Sequence, residues 1–343
     1  MRRMRWLALV TCTAVVGACA PCDRTFQVDV YENATIDVAL ASYAGGPYVM
    51  WSVGPFLGDG EGDVFIRRLG GRTVRLSDRV ARVTLGRTAD GLLACREGYE
   101  DTRCEVLDWR LDVAQPEQVV DLQGIIEFVV FDDQLHALVA TYPVGTSLVP
   151  IASDGTPTGG PWRRTCTSPM LPVVASNRIA CFFYADSSGE TAVELMDTEG
   201  RSRYVVVGEG GGSTGAARGD DILVAWRGCD RTCTRVLHGD GTMGPIHSLP
   251  DPVARVVATG NGYAALWPED IGTTAYPRGP TYARLLDREG APREEADLTG
   301  PSGYEYEVFG AVATDDGFAA VWSVDDPVER GPSSLHVYQR CDD

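Results

Sequence analysis

Three stretches of this chain are apolar at every position, where a half-exposed strand would alternate. They are Phe318-Ala319-Ala320-Val321-Trp322, Tyr263-Ala264-Ala265-Leu266-Trp267 and Ile222-Leu223-Val224-Ala225-Trp226. Each follows a turn-forming pair: Asp316-Gly317, Asn261-Gly262 and Asp220-Asp221. Weaker copies occupy 46–51, 91–96, 134–139 and 178–183. The copies end at residues 51, 96, 139, 183, 226, 267 and 322, spaced 41–55 residues apart. A repeat of roughly 40–50 residues is the mark of a β-propeller or a similar array. A strand covered on both faces reads as a continuous apolar run. Packing between blades therefore accounts for the tryptophans, and the small alanines suit the crowded inner part of a blade.

Four strand-like pieces, a to d from the axis outward, can be named in a repeat. In the sixth they are 254–258, 263–267, 282–286 and 293–298. Asn261-Gly262 turns between the first pair and Asp287-Arg288-Glu289-Gly290 between the last, with residues that accept positive φ. Strands a, b and c recur seven times, but the chain ends soon after the seventh c, at 335–339. The orphan segment Phe26-Gln27-Val28-Asp29-Val30 can supply the missing outer strand. The expected fold is all-β: a seven-bladed β-propeller of four-stranded antiparallel blades, with the outer strand of the last blade supplied by the N-terminus. Such closure hides sheet edges. Degenerate third and fourth repeats leave six or eight blades as alternatives.

Short a–b and c–d turns share one rim, and the variable b–c and d–a loops share the other. Long loops on a rigid scaffold are where binding usually resides. The expected binding rim carries Asp59, Glu61, Asp63, Glu269, Asp270, Tyr276, Tyr304, Tyr306, Asp325 and Asp326, an acidic surface with some tyrosine.

Arg2, Arg3 and Arg5 precede the apolar run 6–16, the layout of a secretory signal that is too short to span a membrane. Val16-Gly17-Ala18-Cys19 follows and resembles the lipobox of bacterial lipoproteins. The resemblance implies lipidation at Cys19, with Ala20 next to it favouring the outer membrane of a Gram-negative bacterium. Residues 1–18 are then a signal peptide, 19–24 a lipidated tether and 25–343 the propeller. The formal net charge is −18, and setting aside the three signal arginines takes the remainder to −21. Such a surface repels phosphate backbones, which argues against nucleic-acid partners. There is no lysine; every basic side chain is arginine.

Beyond Cys12 in the signal and Cys19, eight cysteines remain, and an even count in an exported chain reads as disulfides. Cys95 with Cys104 staples a hairpin. Cys229 and Cys233 bracket the equivalent loop three repeats later. Cys166 and Cys181 flank a repeat boundary, and Cys22 and Cys341 are left for each other at the two ends. The spacing gives no zinc motif.

No catalytic motif and no cofactor motif stands out. Asp59-Gly60-Glu61-Gly62-Asp63 resembles the start of a calcium loop but lacks the glycine after its third acid and the closing glutamate, so a solvated loop is expected and no metal. Gly-x-Ser-x-Gly is absent, and His136, His238, His247 and His336 are scattered over the repeats. The phrase Asp/Asn-Gly-Phe/Tyr-x-x-x-Trp, a loop, then Leu-Asp-x-x-Gly resembles the repeat of uncharacterised exported bacterial β-propeller lipoproteins, over residues 36–339. The resemblance implies fold and export, but no common activity. The expected role is a non-catalytic binding or scaffold module for an envelope protein or glycan, held at the membrane by its lipid. The alternative is a hydrolase or lyase acting on an exported polymer through carboxylates in the axial channel. Convergent carboxylates with an Arg or His there would favour the enzyme.

Overall fold

A computed structural model describes residues 24–31, 34–44, 46–54, 62–80, 82–98, 100–141, 145–159, 163–166, 172–185, 188–270, 278–293, 297–298, 305–315, 317–325 and 333–341. It is a seven-bladed β-propeller of four-stranded antiparallel blades, with no helix among the described residues. The strand β1 (Arg24–Tyr31) comes first. Blade 1 is β2 (Ala34–Tyr43), β3 (Gly46–Gly54), β4 (Gly62–Arg68) and β5 (Thr73–Val80). Blade 2 is β6 (Arg82–Arg87), β7 (Leu92–Glu97), β8 (Thr102–Leu107) and β9 (Val113–Val120). Blade 3 is β10 (Ile125–Phe131), β11 (Gln134–Ala140), β12 (Thr146–Pro150) and β13 (Arg163–Arg164). Blade 4 is β14 (Val173–Val174), β15 (Arg178–Ala185), β16 (Glu190–Asp197) and β17 (Ser202–Glu209). Blade 5 is β18 (Gly211–Arg218), β19 (Asp221–Arg227), β20 (Thr232–Leu237) and β21 (His247–Leu249). Blade 6 is β22 (Arg255–Ala258), β23 (Tyr263–Asp270), β24 (Arg278–Leu286) and β25 (Asp297–Leu298). Blade 7 is β26 (Glu305–Thr314), β27 (Gly317–Asp325) and β28 (Ser333–Cys341), completed by β1.

The N-terminal strand closes the ring. β1 runs antiparallel to β28, with Arg24 opposite Gln339 and Tyr31 opposite Ser333. A bulge between Gln27 and Asp29 lies around Val28, which is buried among Val49, Trp51, Val321 and Val337 at the seam of blades 7 and 1. Arg67 of blade 1 donates to the Val28 carbonyl at 2.6 Å, a second tie across that seam.

The apolar runs are buried on both faces, as continuous hydrophobicity requires. Residues 318–322 and 263–266 are all at most 1% exposed. The terminal tryptophan meets the residue directly opposite on strand c. Trp51 stacks on Phe65, Trp267 on Tyr282 and Trp322 on His336, at 5.8–6.1 Å between ring centroids. In blade 5 the opposite residue is Cys233, bonded to Cys229. In blade 2 the tryptophan position is taken by Arg96, whose buried guanidinium pairs with Glu105 and Glu117. The Cys95–Cys104 bond staples β7 to β8 directly across the ladder, and Cys166–Cys181 ties blade 3 to blade 4.

The c–d turns show why the Leu-Asp-x-x-Gly phrase recurs. Asp108, Asp197 and Asp287 each accept two backbone N–H groups with one carboxylate oxygen, closing the loop in the manner of an Asx-turn. The glycine then takes positive φ, +82° at Gly200 and +85° at Gly290. Gly290 also lies flush on blade 5, where a Cβ would come within 2.6 Å of Leu223 Cδ1; at Gly200 that space is open. Both alanine substitutions incur the left-handed backbone cost, so their difference isolates packing. Gly290→Ala is expected to destabilise by about 1–3 kcal/mol more than Gly200→Ala in urea titrations.

Candidate ligand-binding channel

The seven innermost strands line the axis, each lying against its neighbours around to β2 against β26. Hydrogen bonds join successive blades there. Val83 N donates to Asp37 at 2.8 Å, Thr84 to the Ile125 carbonyl at 3.1 Å and Asp132 N to Ser176 at 2.8 Å. Ser176 N donates to Gly219, and Arg218 reaches the Thr259 and Gly260 carbonyls of blade 6. Asp37 is engaged in this stitching; burial raises its carboxyl pKa, while the Val83 N–H opposes that.

A cavity of about 840 Å³ occupies the channel at the rim of the short a–b turns. The ends of β26, β2 and β6, together with β10, form its wall, so four consecutive blades contribute. Leu40, Phe128, Val130, Leu135 and Val312 form the apolar part of a mixed wall that also carries Ser42, Thr88 and Thr314. Phe128 is seated against Gly86 of blade 2, where any Cβ would fall within 2.6–2.9 Å of its side chain. The charged groups lining the cavity are Glu127, Asp133, Asp315 and Arg87. Asp133 is held in position by a tight turn in which Asp132 and Asp133 both have positive φ, +53° and +56°. Aspartate tolerates that region better than most side chains.

Glu127 is the distinctive group. Its side chain is exposed to solvent where it borders the channel, within the wall of the ring. The enclosure decides its titration: desolvation raises the carboxyl pKa, and Arg255 of blade 6, on the other side of the ring, pulls it back down. Arg255 is shifted down by its own desolvation, with Glu127 opposing. A carboxyl whose pKa is raised by folding favours the folded state most at low pH, and that advantage is lost as pH rises through the folded value. Ionised Glu127 is therefore held at a cost in stability. Glu127→Gln is expected to raise Tm at pH 7, and the gain is expected to vanish below about pH 4, where the unfolded carboxyl is itself protonated. A pH series of thermal melts checks it.

Of the rim residues expected from sequence, Asp63 makes an exposed 2.8 Å ion pair with Arg75. Glu269, Asp270, Tyr306 and Asp325 lie on strands whose backbone alone is described, and Asp59, Glu61, Tyr276, Tyr304 and Asp326 lie outside the described residues. Backbone pairing does bring Asp270, Arg278, Glu305 and Asp325 into successive register across β23, β24, β26 and β27. The cavity opens at the opposite rim, which sequence reasoning had passed over. Its key residues carried a signal: Glu127 and Arg255 are lone charges in otherwise apolar innermost strands. The histidines are not all in separate repeats. His238 and His247 share blade 5, with His238 3.6 Å from Asp221 and 3.4 Å from Glu289 of blade 6. His136 is a packed imidazole edge-on to Phe131.

No family model and no curated protein matches the chain. Among solved structures it is similar to the β-propeller domain of the trilobed protease from Pyrococcus furiosus, at TM-score 0.56 and 9% identity over 90% of this chain and 95% of that one. It is similar to the acylaminoacyl peptidase of Pyrococcus horikoshii at TM-score 0.55 and 11% identity, over 92% of this chain. The chain spans 52% of that peptidase's length. It is also similar to the AfRom2 CNH domain, at TM-score 0.54 and 8% identity over 93% and 100%. At such identities the likeness is one of fold, and fold does not carry function: the chain is similar in architecture to propellers found in proteins of different kinds.

Proposed function

We propose that this chain is an exported, lipid-anchored binding module of the cell envelope, using its axial channel to hold a partner without transforming it. The carrying observation is the charge arrangement around Glu127. Two-carboxylate hydrolysis needs a second carboxyl within roughly 5–9.5 Å. The other carboxylates bordering the cavity, Asp133 and Asp315, lie in the short turns at its mouth, and the turn that carries Asp133 stands about 16 Å along β10 from Glu127, at roughly 3.3 Å per strand residue. A cavity of about 840 Å³ with a mixed apolar and polar wall falls within the usual size range of ligand pockets. Three disulfides among the described residues are compatible with an oxidising compartment. The trilobed protease and the acylaminoacyl peptidase are named as peptidases, but the match to each is a fold match, so no peptidase activity is carried over.

The test is capture and turnover measured together. Purified protein incubated with envelope extract is expected to retain a protein or glycan of unchanged mass. Release of shortened polymer would favour the hydrolase. The anchor is tested separately: Cys19→Ser is expected to move the protein from the membrane fraction to the soluble one.

Cys22 lies outside the described residues. We expect it to bond Cys341, because Arg24 faces Gln339 and the same antiparallel register continued two residues further would bring the two cysteines opposite. Non-reducing peptide mapping is expected to recover that linked pair; Cys341 free or joined elsewhere would remove the proposed lock.

A further inference from the structure

The channel also constrains what it would hold, given the binding-module reading above. The groups bordering the cavity include three acids, Glu127, Asp133 and Asp315, against one base, Arg87. The chain as a whole is at −18. The Glu127 carboxylate has no hydrogen bond from any described residue, although each ionised oxygen can accept several. Its counter-charge, Arg255, is contributed from the far side of the ring, and ionisation there lowers stability. A charge kept at such a cost in a cleft marks a functional candidate. Above it the wall combines apolar side chains with polar ones such as Ser42, Thr88 and Thr314, and Val130, which lines the cavity, is 57% exposed. Glu127 precedes the turn residue Asp132 by five positions, so it lies about 16 Å below the rim at roughly 3.3 Å per strand residue. A ligand that reaches it has a donor-rich cationic head and a body, both polar and apolar as a peptide is, long enough to run down a shaft of mixed wall.

We propose that the channel receives, through the short-turn rim, the basic arm of an extended peptide, with an arginine or lysine head meeting Glu127. A guanidinium or ammonium supplies the charge-assisted hydrogen bonds that the carboxylate lacks. Its aliphatic stem and the neighbouring peptide cover Val130, Phe128 and Leu40.

The probes are a fluorescein-labelled hexapeptide of alternating alanine and arginine, its citrulline counterpart, and agmatine as a free guanidinium. Binding to the full chain is followed by fluorescence anisotropy. The arginine peptide is expected to bind about tenfold or more tightly than the citrulline peptide, and Glu127→Gln to lose about tenfold or more, as expected for removal of one charge-assisted pair. Glu100→Gln, an exposed carboxylate outside the channel, controls for the general acidity of the surface and is expected to change binding less than about twofold. Val130→Trp, which fills the shaft, is expected to block the peptide. Thermal melts accompany each variant, and Glu127→Gln is expected to melt higher, so its loss of binding is not loss of fold. Equal binding of the two peptides, or equal loss in Glu127→Gln and Glu100→Gln, overturns the proposal. Agmatine binding as tightly as the peptide overturns the extended-ligand part. Envelope partners captured equally by wild type and Glu127→Gln leave the binding-module reading standing and remove this inference. Peptide binding at Glu127 with no envelope partner captured does the reverse.

Discussion

Val28→Asp is expected to lose about 3–5 kcal/mol of stability, a large share of the roughly 5–15 kcal/mol that holds an ordinary domain folded. Val28 is 4% exposed and sits where β1 meets both its own blade and blade 1. A carboxylate there is buried among Val49, Trp51, Val321 and Val337, with no opposite charge among them. The cation bonded here, Arg67, is already engaged by the Val28 carbonyl, so relieving the charge means either taking Arg67 from that tie or lifting β1 from β28, and lifting β1 bares the outer edge of blade 7. Val28→Ala keeps the site apolar and is expected to cost only about 1–3 kcal/mol, the transfer of two methyl groups plus a small cavity. Urea titrations of the two variants separate loss of packing from loss of closure.

Trp226→Ala is the second large effect, expected at about 3–5 kcal/mol. The side chain is 1% exposed at the end of β19 and packs into the seam between blades 4 and 5. Gly208 of β17 admits it: a Cβ there would lie 2.5 Å from the indole ring. The indole N–H donates to the Glu209 carbonyl at 2.9 Å. Alanine therefore removes the packed volume and leaves a carbonyl without its donor. Trp226→Phe keeps most of the volume and loses the hydrogen bond, so it is expected to cost clearly less. A large loss in alanine with a small loss in phenylalanine points to packing as the main term; equal losses would point to the hydrogen bond.

The architecture was legible because it repeats. Each apolar run ending near a tryptophan is a strand covered twice, and that environment recurs only where sheets are sandwiched in series. The closing strand was legible by count, since a seventh c strand lacked a partner and 26–30 lacked a purpose. Turn chemistry fixed the c–d corners at Asp197 and Asp287, where one carboxylate closes the loop and a glycine turns it. The phrase fades where other chemistry does the same job. At Arg96 a buried ion pair replaces the tryptophan, and at Leu111 a buried leucine takes positive φ, +67°, in place of glycine. The channel was less visible. Glu127 and Arg255 are 128 positions apart in the chain and acquire meaning only across the ring. Long loops drew attention to one rim, while the cavity is framed at the other by short turns of no obvious distinction. Nothing in a turn such as Phe131-Asp132-Asp133-Gln134 announces that it borders a cavity; only closure of the blades around an axis creates one.

Amide hydrogen exchange over residues 24–31 tests the central claim, a ring of seven blades closed by its own N-terminal strand around a working channel. Paired with β28 on one side and packed at blade 1 on the other, the β1 amides are expected to be protected to the same free energy as those of 317–325 and 333–341, and to open together with them. Exchange of 24–31 at the rate of an unstructured chain, with β27 and β28 still protected, would contradict it.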